Sequence, residues 1–252
     1  GLCFCYIGRQ HNKDISLTDQ IVFIVLSLFF VPLLISIPYF LSIYNISFLN
    51  AYFESVSGFT TTGFSIIKNI KNIDDPLVLW RSSSQWMGGL FFLIVTIGTI
   101  GSKQAKIKPA FLISGGASGR NFYNNFNYNF IKILSIYLFS TILTIFLYNM
   151  SGIRLLDSFN LSFTTISSGG FIPTNNLVNI IDNDVQVLAL SISLLFPIFN
   201  FFLLHDLIRK QFSFRRSQED IHLASIIFFI TLFIYFFVIP EEGISNVFFA
   251  TI

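Results

Sequence analysis

Charge is what this sequence has least of: Asp, Glu, Lys and Arg make up 11% of its 252 residues, against 53% hydrophobic. A soluble domain carries roughly 25% charge, so the composition places this chain in a bilayer. Cysteine is nearly absent, because Cys3 and Cys5 form a C-x-C with no second pair. That excludes a disulfide framework or cysteine metal site and leaves two buried or cytosolic thiols. Histidine is as sparse, and His11, His205 and His222 stand outside any H-E-x-x-H or H-x-H spacing, with no convergent carboxylate pair. No enzyme site is read from them. The formal net charge of +2 is too small and too scattered for a nucleic-acid partner. The run Gly115-Gly116-Ala117-Ser118-Gly119 lacks the Gly-Lys-Ser/Thr ending and preceding strand of a phosphate loop, so it reads as a turn and no organic cofactor is expected.

What the chain has instead is long uncharged runs. Residues 1–8 read as the tail of a span, and Gln20 to Tyr44 contains no charge, enough to cross a hydrocarbon core of about 30 Å as one helix. Pro32 and Pro38 should kink or end it near its outer end. Phe48 to Val56 is a short amphipathic piece, followed by a polar stretch and a crossover holding Lys68, Lys71, Asp74, Asp75 and Pro76. A second span opens near Leu79-Trp80-Arg81 and runs to about Ile100. Trp80 and Trp86 suit interface-belt or packing aromatics, and Gly88-Gly89 allows close helix contact. Lys103, Lys106, Lys108, Arg120 and Lys132 have no acid among them, which marks that loop as cytoplasmic by the positive-inside rule.

The stretch Ser55-Val56-Ser57-Gly58-Phe59-Thr60-Thr61-Thr62-Gly63-Phe64 organises the rest. An uncharged, hydroxyl-rich, Gly-bracketed segment at membrane depth cannot face lipid, because each unpaired backbone group would cost several kcal/mol. It lines a water-filled path or is buried in protein, unless it is a connector outside the membrane. Phe130 to Tyr148, Leu155 to Phe163, Thr164 to Phe171 and Val185 to Leu204 then repeat the grammar of span, short helix, polar turn and span. At an offset of 107, Leu156 falls on Leu49, Ser162 on Ser55, Thr164 on Ser57, Ser167 and Ser168 on Thr60 and Thr61, Gly170 on Gly63, and Phe171 on Phe64. This is the form of an internally duplicated transport protein, with both turns entering from the same, non-cytoplasmic face. After a basic loop from His205 to Asp220, Ala224 to Ile239 starts a third unit, Pro240 to Gly243 forms its outer turn, and Ile244 to Ile252 takes the place of its short helix. Glu54 is expensive beside such a turn unless paired or useful. Arg81 is its candidate partner, and cation attraction at a vestibule is the other role open to it.

At Phe53-Glu54-Ser55-Val56-Ser57-Gly58-Phe59-Thr60-Thr61-Thr62-Gly63, at Leu79-Trp80-Arg81-Ser82 with Gln85-Trp86-Met87-Gly88-Gly89, and at the second turn, the sequence resembles the bacterial potassium-uptake proteins of the Trk/Ktr superfamily. The resemblance implies an all-α polytopic membrane protein built of helix–pore loop–helix units of the potassium-channel type, four of them around one potassium path. It puts potassium coordination, mainly by backbone carbonyls, on Thr60, Thr61, Thr62 and Gly63 and on Ser167, Ser168, Gly169 and Gly170. The second turn departs from the pattern, with a glycine pair and no threonine triplet. On that layout residues 1–10 end a preceding helix and 15–101 form the first unit. Residues 102–127 are a cytoplasmic linker, 128–206 the second unit, 207–221 a second linker, and 222–252 a third unit cut in its pore helix.

The expected function is potassium or other monovalent cation uptake across the bacterial plasma (inner) membrane, with the N-terminus cytoplasmic and the potassium ion as the sole cofactor. Two units do not close a ring, and residue 1 is Gly. The alternative is therefore a transport-incompetent truncated product or a membrane scaffold lacking the other half of the pore. The resemblance also implies a homodimer with a cytosolic nucleotide-binding regulatory subunit. The cationic loops at Lys103 to Lys108 and Arg209 to Arg216 suit such docking, and anionic lipid headgroups explain the same charges equally well.

Overall fold

The computed structural model describes residues 17–43, 46–100, 126–198, 218–237 and 244–251. The expected helix end at 1–10, Cys3, Cys5, His11, His205, the Gly115 to Gly119 run, the basic loops at Lys103 to Lys108 and Arg209 to Arg216, and the turn at Pro240 to Gly243 lie outside them. The described residues form helices α1 (Leu17–Ser42), α2 (Phe48–Phe59), α3 (Asp75–Ile100), α4 (Phe126–Met150), α5 (Leu155–Ile166), α6 (Asp184–Ile198), α7 (Gln218–Phe237) and α8 (Ile244–Thr251). Single 3₁₀ turns at Ile70–Asn72 and Leu177–Asn179 interrupt the two crossovers.

Two windows, Ile21–Ser42 in α1 and Ile133–Met150 in α4, are long and apolar enough to cross a membrane. Their outward faces are oily: Phe23 and Leu34 are each 67% exposed. The interior is the polar side, with Ser36, Glu54, Ser55, Arg81, Ser84, Gln85 and Asn160 all buried. This inversion of the soluble pattern is what a hydrocarbon solvent selects, because polar groups must find partners inside the protein. Helix α3, 26 residues long, is polar in its first half, where Arg81, Ser82, Ser84 and Gln85 are buried in protein.

Two sequence expectations change and one is narrowed. Of the two outcomes open at Pro32 and Pro38, ending the helix is not seen at either, since α1 runs through both to Ser42. Each proline removes one backbone donor, and packing of α1 on α2 and α3, with the Pro32 ring fully buried, outweighs that loss. The short helices are also one turn longer than expected, ending at Phe59 and Ile166 instead of Val56 and Phe163. Their hydroxyls bond back into the helix, Ser55 Oγ to the Ala51 carbonyl at 2.8 Å and Thr164 Oγ1 to that of Leu161 at 3.1 Å, so the polar stretch is half helical. Finally, α7 begins at Gln218, inside the stretch 207–221 read as linker.

The repeat is structural. α5 and the second 3₁₀ turn start and end 107 residues after α2 and the first, while the second crossover takes two extra residues before α6. Helix α5 packs on α3 as well as on α4 and α6, and α8 packs on α6 and α7. The second long helix of each unit thus backs the short helix of the next.

Candidate functional site

The turns that follow α2 and α5 are built alike. Each short helix closes with paired bonds of the Schellman type: Thr61 N–H to the Gly58 carbonyl (3.0 Å) and Thr62 N–H to that of Ser57 (2.9 Å), matched by Ser168 to Thr165 (3.0 Å) and Gly169 to Thr164 (2.8 Å). That motif needs a left-handed residue just past the helix, where glycine is usual. Here it is Thr61 at φ +55° and Ser168 at φ +53°, with Gly63 (+80°) and Gly170 (+79°) left-handed two residues on. A β-branched residue at such a φ is an outlier that only the surrounding structure can hold. Sequence reasoning placed Thr61 and Ser168 in the site beside the glycines but did not foresee their left-handed backbone, which no letter pattern marks.

The turns meet. A Cβ on Gly63 would collide with the Gly169 carbonyl oxygen, and one on Gly170 would stand 4.0 Å from the Gly63 Cα. Thr60, Thr62, Ser168 and Gly170 are exposed, Thr61 and Gly63 are intermediate, and Ser167 and Gly169 are buried. Thr60 Oγ1 bonds the Val56 carbonyl and Thr62 Oγ1, both at 2.7 Å. Among the described residues no hydrogen bond ends on the carbonyl oxygens of Thr60 to Gly63, Ser167, Ser168 or Gly170. The Gly169 carbonyl differs, since it accepts from Gln85 Nε2.

Helix α3 backs both turns. Gly88 lies so close to the Phe59 carbonyl, and Gly89 to Ser167 and the Tyr137 hydroxyl, that a side chain at either would collide. This is the close approach the Gly pair was expected to allow. Both indoles serve packing, Trp80 Nε1 donating to the Ile35 carbonyl (3.1 Å) and Trp86 Nε1 to Thr141 Oγ1 (3.0 Å). Ser82 Oγ, on the next position of α3 after Arg81, reaches Asn160 of α5.

Of the two roles open to Glu54, the structure shows pairing. Its Oε1 accepts from Arg81 Nε (3.0 Å), Arg81 Nη2 (2.9 Å) and Ser65 Oγ (2.8 Å), and Oε2 accepts from the Ile66 N–H (3.1 Å). Both side chains are buried, at 0% and 2% exposure. With both carboxylate oxygens hydrogen-bonded, Glu54 is a strut fixing the exit of the first turn. Arg81 carries the connection across, with Cζ 4.3 Å over the Phe171 ring and Nη1 3.5 Å from the Ile172 carbonyl. Between the crossovers, Asn175 accepts from the Ile70 N–H (2.7 Å) and donates to Asn69 Oδ1 (3.0 Å).

Comparison with known proteins agrees with this architecture. No protein-family model matches the chain. It is 30% identical over 194 residues to an uncharacterized cation transporter of Methanocaldococcus jannaschii, covering 69% of this chain and 38% of the relative. Against the Trk system potassium uptake protein TrkI of Halomonas elongata it is 33% identical over 147 residues, 54% of this chain and 28% of the relative. It also aligns with TrkG of Escherichia coli at 25% identity, over 82% of this chain and 43% of the relative. The crystal structure of the potassium transporter TrkH from Vibrio parahaemolyticus superposes with a TM-score of 0.71 at 21% identity, covering 96% of this chain and 51% of that one. The chain belongs to the Trk/Ktr superfamily. This Trk/Ktr chain is an all-α, multi-pass membrane protein of a transporter family, not of an enzyme family, and it spans about half or less of the length of the relatives it matches.

Proposed function

We propose that the two turns are pore loops, and that the backbone at Thr60 to Gly63 and at Ser167 to Gly170 lines one path for potassium in preference to sodium. The observation that carries this is the matched left-handed pair in each turn, at the same 107-residue spacing, with the two turns in contact. Strained, duplicated backbone whose carbonyls have no partner among the described residues suits the replacement of an ion's hydration shell. Gly169, whose carbonyl is held by Gln85, contributes its backbone position and not a free acceptor. The family relatives named as potassium uptake proteins support the choice of ion.

On this reading the chain supplies 15–101 and 128–206 as two of four units, with 222–252 opening a third, in a bacterial plasma membrane with its N-terminus cytoplasmic. The family resemblance supports assembly as a homodimer with a cytosolic nucleotide-binding regulatory subunit. The test is rubidium uptake at several sodium concentrations in the uptake-competent protein. Gly63→Ala meets both a left-handed φ and the Gly169 carbonyl, so it should lower potassium-over-sodium discrimination about tenfold or more while the protein still inserts. Thr61→Ser should be milder. Gly152→Ala is the control, because it carries the same strain at φ +91° in the loop before α5, away from the turns. Equal, small effects at Gly63 and Gly152 would remove the pore-loop assignment.

A further inference from the structure

We propose that Gln85 and Arg81, both on the second long helix of the first unit, are positioning residues that set the ion-facing geometry of the second unit's turn. The proposal rests on the reading of the turns as pore loops. Gln85 is completely buried. Its Nε2 donates to the Gly169 carbonyl and its Oε1 accepts from the Phe171 N–H at 3.1 Å, so one planar amide brackets Gly170 on both sides. Only this orientation of the amide works, because a flip would set oxygen against oxygen and N–H against N–H.

Gly170 needs such a bracket. It stands at φ +79° in open space, its would-be Cβ meeting nothing nearer than 4.0 Å, and glycine has no intrinsic preference for that sign of φ. Sterics do not hold it there. The two bonds from Gln85 do, and they also fix which way the Gly169 carbonyl points. Arg81 lies one helical turn earlier on the same face, where its guanidinium covers the Phe171 ring and reaches the Ile172 carbonyl. The two residues grip consecutive positions from Gly169 to Ile172. The other charged end of the clamp is Glu54, which ties Arg81 to Ser65 and Ile66 at the exit of the first turn. Counted from the helix starts, α6 presents Leu190 and Leu194 where α3 presents Arg81 and Gln85, so of these two units the first alone carries the clamp.

The experiment compares rubidium uptake against sodium for Gln85→Leu, Gln85→Met, Arg81→Lys, Gly63→Ala and Gly170→Ala in the uptake-competent protein, with membrane content measured alongside. Gln85→Leu removes both bonds and should lower potassium-over-sodium discrimination roughly tenfold, the equivalent of one buried backbone group left unpaired. Gln85→Met, which keeps length and volume, should do the same and serves if the leucine variant does not reach the membrane. Arg81→Lys keeps the charge for Glu54 but loses the planar stack, and should shift the ratio about threefold. A residue that merely stabilised the fold would reduce the amount of protein and its maximal uptake while leaving the ratio unmoved. That result for both Gln85 variants, with Gly63→Ala and Gly170→Ala shifting the ratio, overturns the clamp and leaves the pore-loop reading standing. An unmoved ratio in all five overturns both.

Discussion

The two units make one backbone shape by opposite chemistry. In the first, α2 and α3 are joined by the buried Glu54–Arg81 pair. In the second, the matching positions hold Leu161 and, counted along α6, Leu190, both in one apolar cluster with Tyr148, Ile153 and Ile180. The short helices nevertheless have the same length, close with the same pair of backbone bonds, and leave the same two residues left-handed. As far as Thr61 and Ser168, the turn's shape is therefore written in the main-chain bonds that end the helix. What packs behind it is free to be ionic or apolar. The ionic version stands where α3 must also hold its neighbour's turn, since a leucine pair offers nothing for Ser65, Ile66 or Ile172 to bond.

Swapping one solution for the other tests this most strongly. Glu54→Leu or Arg81→Leu alone leaves a buried charge without its partner and should cost about 3–5 kcal/mol. The double variant copies the second unit and should recover most of that loss, because a well-packed apolar pair is often as stable as a buried ion pair. Thermal unfolding in detergent, followed by size exclusion, reads the difference. A double variant no better than the worse single would mean that the first unit cannot use the second unit's solution. The next effect is Gly88→Ala, whose Cβ meets the main-chain carbonyl of Phe59 and should cost roughly 1–3 kcal/mol. Gly58→Ala should cost less, since the clash there is with the Ser84 hydroxyl, the movable end of a side chain. Equal losses would place the close contact elsewhere.

Much of this layout is readable from the letters. Hydropathy alone separates α1 and α4 from the crossovers, and the pairing of Leu49 with Leu156 through Phe64 with Phe171 locates both turns. Glu54 with Arg81 follows from the cost of burying an acid. The helix ends are harder, because whether Ser55 or Thr164 ends a helix depends on whether its hydroxyl finds a carbonyl one turn back, which composition does not record. Whether Pro32 ends a helix is open in the letters for a related reason: its penalty is local and its compensation is tertiary. The site itself is half legible. Gly63 and Gly170 announce a need for unusual φ, whereas Thr61 and Ser168 occupy the same region against their own preference. Gln85 stands in a motif that carries the resemblance, but nothing in the letters gives its role, since its partners lie 84 and 86 residues away in another unit.

Thr61 separates local strain from function at smaller cost. Thr61→Gly removes a left-handed penalty of about 1–2 kcal/mol and adds about 0.5–1 kcal/mol of chain entropy on unfolding. The protein should gain up to about 1.5 kcal/mol in stability. Discrimination should fall at the same time, because the carbonyls of the first turn become freer. A marked loss of stability would mean that Thr61 is comfortable at φ +55° and that its side chain supports the turn.

The smallest effect belongs to the second ion pair. Arg154, 64% exposed at the start of α5, donates to Asp157 through Nε (3.0 Å) and Nη2 (3.2 Å), and Asp157 holds the guanidinium's pKa above its ordinary value. Geometrically this pair is as good as Glu54–Arg81. Energetically it is not, since water already solvates Arg154, and exposed pairs contribute about 0.2–1 kcal/mol before screening. Asp157 also keeps a favourable place in the first turn of α5, near the partial positive charge of the helix N-terminus, when Arg154 is removed. Arg154→Ala should therefore shift the melting profile by no more than about 0.5 kcal/mol, less still at high salt. Discrimination between potassium and sodium should stay where it was. If Arg154→Ala cost as much as Arg81→Leu, burial would not be what makes the Glu54–Arg81 strut decisive, and the contrast between the two units would need another cause.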